Sequence, residues 1–452
     1  MVTLLTALGI VLFFLGLLFS IAWHELGHLA TAKMFGIRCT QYMVGFGKTL
    51  WSRKWGDTEY GLKLVPLGGY VRLVGMIPPA AKPRDTSGKP MSRWRAMIED
   101  AREANSVELE PGDEDRQFYQ RAPWKRVIVM VAGPAMNLIL AVVLFAVIMM
   151  GIGLPQNTTT VDTVVKCVLP ATATGSDCPP DAPPSPAMEA GIRPGDRIVA
   201  VAGEPTPDWQ AANSAIREHI GPTDITVERD GERRTLRVDL MENKVVARNA
   251  EGEVVYKKGP DGEPVTDSRG YRVFATESAG FLGITFDQER RPLSLGESAE
   301  RMWMSVVGVA DALVELPSKV DDVFRAAFLG EQRGVDSPVG IVGASRIGGE
   351  VLSQPIPMTD RVVFLVNMLA GVNLFLFAFN MVPILPLDGG HIFGALWESV
   401  RRRLAKLFRR PDPGPFDVAQ LMPVAYIVVA CFVVFSLMLL VADVVNPVRI
   451  TQ

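Results

Sequence analysis

The chain is 452 residues long, 48% hydrophobic and 21% charged, with a formal net charge of −3. That length accommodates two or three domains, and a charge so near zero leaves no footprint of a nucleic-acid binder. Four cysteines exclude a disulfide-built scaffold, and the gathering of apolar residues into a few long runs excludes an ordinary soluble globule, whose helices carry a polar face.

Four runs stand out, at residues 4–21, 127–154, 362–387 and 424–445. Each is long enough to cross a hydrocarbon layer about 30 Å thick. The first can also be read as a secretory signal, but it lacks a basic leader and a small-residue cleavage site and continues into Trp23-His24-Glu25. A retained span over residues 1–35 is therefore expected. Residues 36–126 read as a membrane-associated β-loop and a polar loop: 42–76 is extended, with Gly45-Phe46-Gly47 and a turn at Pro66-Leu67-Gly68-Gly69-Tyr70, and a short helix falls near 91–103. The second span covers 127–154.

Residues 155–295 form a separate α+β unit. Pro186 to Gly191 suits a short helix ended by glycine, Pro194-Gly195-Asp196 is a turn, 197–202 alternates as a strand, 225–239 is a hairpin, and Gly280 to Ile284 supplies a late strand. An insertion at 241–279 carries a further hairpin around 249–252. Cys167 and Cys178 lie in this unit and can pair across a short, turn-rich loop in an oxidising compartment; two free thiols are the alternative. His219 reads as a surface residue at a helix end. Residues 296–360 hold an amphipathic helix over 297–328 and a linker, 361–391 the third span, 392–423 a loop and 424–446 the fourth span.

Charge orients this layout. Residues 36–126 carry a net +5 and residues 152–360 a net −11, and basic residues beside span ends mark the cytoplasmic side. Lys33, Arg38, Lys125, Arg126 and Arg401-Arg402-Arg403 all count, which places both termini and residues 152–360 outside the cytoplasm.

The chemistry concentrates in two of the spans. Of four histidines, two form His24-Glu25-Leu26-Gly27-His28. At i and i+4 on a helix both imidazoles reach one ion, with Glu25 beside them able to take a proton from water. Zinc suits such a set because it brings the pKa of bound water to about 7, and His, Glu and His inside a span are costly unless functional. A catalytic zinc takes three protein ligands, so the third must come from another span at the same depth. Asp388, after Asn380-Met381-Val382-Pro383-Ile384-Leu385-Pro386-Leu387, is the first candidate; the alternative is that Asp388-Gly389 is only a span-ending turn, and His391 is a rival ligand that ranks behind it as a loop or supporting residue.

These residues together resemble the site-2 protease family of intramembrane zinc metalloproteases. HExxH in the first span, the Gly45-Phe46-Gly47 strand loop, Gly133-Pro134-Ala135-Met136-Asn137 in the second span, the Ser185 to Gly203 stretch of PDZ character and NxxPxxPLDGG in the third appear in the family's order. The resemblance implies a polytopic α-helical membrane protein with four transmembrane helices, membrane-associated β-hairpin segments and an inserted extracytoplasmic PDZ-like α+β domain. It implies zinc held by His24, His28 and Asp388, with Glu25 as general base. Asn380, Asn137, Gly45, Phe46 and Gly47 would contact substrate backbone or orient the site, although the two asparagines serve equally well as polar bridges between helices. It further implies a bacterial cell-membrane enzyme whose site faces the cytoplasmic side. Its substrates would be single-span membrane proteins such as anti-sigma factors, already trimmed by a site-1-type protease. The family's Ser-Gly-Pro-Val-Gly-Ile element departs here to Asp336-Ser337-Pro338-Val339-Gly340-Ile341. An inactive scaffold, a transporter and a peptidase working in water are the rival classes.

Overall fold

The computed structural model describes residues 2–79, 92–106, 110–168, 178, 182–247, 255–260, 265, 273–331, 333 and 337–448. The chain divides into two compact units, Met1–Ile148 with Ser294–Gln452, and Met149–Leu293.

In the first unit, helix α1 (Val2–Met34) runs without a break through both histidines of the HExxH motif. It stops where Gly36 adopts φ +70° and the Ile37 amide turns back to the Ala32 carbonyl at 2.9 Å, a glycine C-cap. Strands β1 (Cys39–Trp55) and β2 (Thr58–Leu73) follow. Both bend, β1 at Gly45 and Gly47, each with positive φ, and β2 at Gly68. The bends fold the pair into a sheet in which Gln41–Val44 lies between Gly69–Arg72 on one side and Glu59–Leu62 on the other. Its far half leaves Leu50, Trp51 and Trp55 exposed.

Helix α2 (Arg93–Ser106) precedes α3 (Pro123–Ala146), which starts with proline at its first turn, where the missing N–H costs nothing. α1 and α3 meet closely because glycine lines the contact: a Cβ on Gly27 would overlap the Ala132 carbonyl, and one on Gly133 would overlap the His28 ring. Trp23 Nε1 donates to the Met136 carbonyl across the same contact at 2.9 Å. The C-terminal end of α1 and the N-terminal end of α3 share a buried cluster with the sheet that includes Leu29, Ile37, Leu73, Phe118, Val129 and Met130.

The second unit begins with β3 (Leu154–Val164) and continues through α4 (Pro186–Glu189), β4 (Arg197–Val201), β5 (Glu204–Pro205), α5 (Trp209–Glu218), β6 (Gly221–Arg229), β7 (Glu232–Val246), β8 (Thr276–Phe281) and β9 (Ile284–Arg291). Among the described residues its seven strands form one sheet in the order β8-β7-β6-β4-β3-β9, with β5 on β4. The core holds Val161, Ile198, Val201, Ile216, Ile225, Val227 and Leu240. Asp208 caps α5 through the Ala211 amide at 2.8 Å, worth about 1 kcal/mol. Cys167 and Cys178 form a disulfide. His219 ends α5 and is half-buried, its Nδ1 at 2.7 Å from the Ala215 carbonyl. The expected hairpin around 249–252 lies outside the described residues.

Back in the first unit, α6 (Leu295–Glu315) opens with a reciprocal Ser294–Glu297 capping box. The single amphipathic helix expected over 297–328 is two, α6 and α7 (Lys319–Phe328), because Pro317 cannot continue the first. Residues 341–353, expected as linker, form α8 (Ile341–Ser353), which lies on α1 where Gly9 meets the Gly348 carbonyl.

Helix α9 (Met358–Asn380) ends eleven residues before the expected limit of 391, interrupted by Pro383 and Pro386, with a cis Leu385–Pro386 bond. The stretch expected as a loop over 392–423 contains instead α10 (Asp388–Leu407). The Asp-Gly-Gly sequence starts this helix rather than a turn, since Asp in a first turn faces the positive end of the helix dipole. The glycines let that turn press on the preceding backbone: a Cβ on Gly390 would sit 2.7 Å from the Leu385 nitrogen. Helix α11 (Met422–Val445) completes the chain.

Among the described residues four helical stretches, Leu4–Met34, Pro123–Ile152, Met358–Asn380 and Val418–Val445, are long and apolar enough to cross a membrane. In the last of these only 6% of the apolar window is covered by the rest of the protein. So much uncovered apolar surface is the mark of a membrane protein.

Candidate metal centre

Three helices converge on one cluster. His24 and His28 project from adjacent turns of α1, and Asp388 from the first turn of α10. His24 Nε2 lies 3.1 Å from His28 Nε2, and Asp388 Oδ2 lies 3.3 Å from each. All three residues are at least largely buried. Asp388 Oδ2 nevertheless has no hydrogen-bond partner among the described residues. Lone-pair atoms facing one another in a buried space repel unless a cation sits between them. A triangle of this size leaves a point roughly 2 Å from every corner, the length of Zn–N and Zn–O bonds. The residues fit a zinc ion.

α3 orients the two imidazoles. His28 Nδ1 lies 2.8 Å from the Val129 carbonyl. A carbonyl only accepts, so Nδ1 carries the proton and Nε2 presents its lone pair to the cluster. His24 Nδ1 lies 3.2 Å from the amide nitrogen of Asn137, whose Oδ1 is buried and unpartnered. A half-turn of this amide gives Oδ1 a donor in His24 Nδ1–H and frees the second Nε2 in the same way.

Glu25 lies on the same helix and interacts electrostatically with His28, His24 and Asp388. It also accepts a hydrogen bond from the Val71 backbone, and Gly69 packs against its Cγ, where a Cβ would come within 3.0 Å. The β2 segment at Gly69–Arg72 thus borders the cluster. Tyr42 Oη, next in the sheet, donates to the Ala22 carbonyl at 2.7 Å and fastens the sheet to α1.

The remaining expected residues fall farther out. Asn380 donates to the Leu376 carbonyl of its own helix at 3.0 Å. Gly45, Phe46 and Gly47 form the bend of β1, with Phe46 stacked on Tyr70 at 6.1 Å. His391, one turn beyond Asp388, stands outside the cluster with a buried Nδ1 lacking a partner among the described residues. Sequence reasoning missed the Val129 carbonyl, which no side-chain pattern marks. It also missed the Ser20–Asn373 bond, at 2.9 Å, that ties α1 to α9 one turn before His24; two polar residues inside apolar runs were the available signal.

Comparison with known proteins supplies the context. The model of peptidase family M50 matches residues 12–410. The chain is 35% identical to "Zinc metalloprotease Rip1" of Mycobacterium tuberculosis over 454 aligned residues, covering 98% of this chain and 99% of that one. It is 26% identical to "Metalloprotease MmpA" of Caulobacter vibrioides over 84% of each chain, and 24% identical to a "Putative zinc metalloprotease" of Vibrio cholerae over 86% of this chain and 90% of that one. With a match across most of its length and a named zinc metalloprotease aligned nearly end to end, the chain belongs to peptidase family M50, the site-2 protease family, and is a membrane zinc metalloendopeptidase.

Proposed function

We propose that this enzyme cleaves the transmembrane segments of single-span membrane proteins inside the bilayer. The observation that carries the reading is the position of the cluster: two donors on a helix long enough to span a membrane and a third just beyond the end of another. His24, His28 and Asp388 hold the zinc. The bound ion supplies Lewis acidity toward a carbonyl oxygen and lowers the pKa of water.

The chain's own residues do the rest. Glu25 takes a proton from the attacking water and returns it to the departing amine. Val129 and Asn137 keep both imidazoles in the donor state. Gly69–Val71 is the sheet edge beside Glu25, and an unwound substrate strand can add to it, satisfying backbone groups that a bilayer leaves unpaired. Gly45, Phe46 and Gly47 bend β1 so that this edge meets α1, and the exposed Leu50, Trp51 and Trp55 suit a hairpin seated in the membrane. Asn137 orients His24, and Asn380 is available to a substrate backbone.

Basic residues beside the span ends support a cluster toward the cytoplasmic side and a second unit outside the cell membrane of a bacterium. The order of short helix, strand, helix and hairpin in that unit supports a PDZ-like domain that screens substrates before they reach the spans. Anti-sigma factors already trimmed by another protease are the substrate class the resemblance favours. Purified protein should cleave a single-span substrate within its span, and a zinc chelator should stop it. Glu25→Gln should lose cleavage while keeping zinc and fold; sustained cleavage by that variant would overturn the mechanism.

A further inference from the structure

The cluster is assembled from two helices, α1 and α10, each of which packs on α3. α3 orients the histidines of α1, whereas Asp388 rides on α10, whose first turn contacts its surroundings through Gly389 and Gly390. Glycine contacts permit close approach but leave no side chain to set a register, and Ile392, one turn on, joins an apolar cluster with Leu29 of α1 and Val129 and Met130 of α3 that can slide. The register of α10 is set farther along. Glu398, ten residues or about 15 Å beyond Asp388 on the same helix, is 1% exposed. Its Oε2 accepts from Arg126 of α3, whose side chain is 5% exposed, and from the Phe416 amide at 2.8 Å. Arg402 of α10 stands 3.0 Å from Oε1.

Arg126 lies one turn before Val129, the residue whose carbonyl orients His28. We propose that the buried Arg126–Glu398 pair is a positioning device for the metal centre, locking α10 against α3 so that the Asp388 carboxylate stands opposite the two imidazoles. This rests on the reading of Asp388 as a zinc ligand. A buried ion pair suits the task because it accepts one register only: a slip that parts the charges leaves the Arg126 guanidinium desolvated and unpaired, while Glu398 keeps only Arg402 of its own helix as a countercharge. An apolar contact slides at far smaller cost. Neither residue touches the reacting atoms; both act through Asp388.

The test is zinc affinity, measured by competition with a chromophoric chelator on the full chain in detergent, together with the ligand-field spectrum of the cobalt-substituted protein. Glu398→Gln and Arg126→Gln should each weaken zinc binding about tenfold or more, as loss of groups supporting a ligand does, and shift the cobalt bands. The double variant should be no worse than the poorer single one, because the pair acts as a unit. Asp443→Asn is the control. It breaks the Arg333–Asp443 pair, at 2.8 Å and with both side chains 1% exposed, which joins α11 to the segment before α8. It should lower the melting temperature and leave zinc affinity at the wild-type value. Asp388→Asn separates the two readings: if it binds zinc as the wild type does, Asp388 is no ligand. If Asp388→Asn weakens binding while the folded Glu398 and Arg126 variants keep wild-type affinity and spectrum, the positioning proposal is overturned and the ligand reading stands. An equal loss of affinity in Asp443→Asn also overturns it, since any broken pair would then do. Should Glu398→Gln not fold, Arg126→Lys, which keeps the charge but shortens the reach, carries the same comparison.

Discussion

Substituting Gly133 by alanine tests the metal centre without touching any ligand. The added Cβ would overlap His28 Nε2 and lie 2.7 Å from both ring carbons flanking it. Ordinary carbon contacts begin near 3.5 Å, so the ring or the helix must withdraw by about 1 Å. α3 has little freedom to do so, because the Ala132 carbonyl already rests on Gly27 and Trp23 bonds the Met136 carbonyl. The ring therefore moves, carrying Nε2 away from partners now 3.1 and 3.3 Å distant. Metal bonds tolerate roughly 0.2 Å. Zinc affinity should fall about 10- to 100-fold, and cleavage at saturating zinc about 100-fold from misplacement alone. Zinc content after dialysis and turnover of a single-span substrate report the two effects. Gly151→Ala, where nothing lies within 4 Å of the new methyl, should leave both unchanged. Wild-type affinity and turnover in Gly133→Ala would refute the close contact on which the geometry depends.

Zinc should also stabilise the fold: at a free concentration about 1,000 times Kd the gain is about 4 kcal/mol. Thermal melting with and without chelator should show this shift in the wild type and only a small one in Asp388→Asn. In the second unit, burial would raise the Asp196 carboxyl, but Arg229, at 2.6 and 2.7 Å, and the Arg193 amide, at 2.8 Å, outweigh it and hold the group below its ordinary range. A depressed carboxyl stabilises the folded state above its unfolded pKa of about 4, and the benefit fades as pH falls through the folded value. Asp196→Asn should therefore cost more at pH 7 than at pH 3, read as hydrogen-exchange protection of Ile198 and Val227 normalised for intrinsic rates; equal costs would contradict the assignment.

Much of the site was legible because its motifs are local. The i and i+4 spacing of His24 and His28 needs only a helix, and Asp388 was found by counting residues to a matching depth. What escaped detection depends on contacts far apart in the chain. Arg126 and Glu398 are separated by 272 positions, and each taken alone looks like a solvated charge beside a span. α10 was missed because Asp-Gly suggests a turn and the arginines after it suggest a surface loop, although Ile392, Ala395 and Leu396 carry helical spacing. α8 was missed because Gly343, Gly348 and Gly349 lower its intrinsic helix preference, which packing against Gly9 of α1 overrides.

On the side away from β1, Gly69–Val71 pairs with no other strand among the described residues and lies against Glu25. A ladder of amides and carbonyls is blind to side-chain identity, since every residue but proline offers the same two groups. If a substrate strand adds to this edge, as proposed above, choice of the severed bond shifts to the victim. The segment whose own helix surrenders its internal bonds most readily, through glycine, proline or asparagine near the right depth, would then be the one cut, whatever letters surround it.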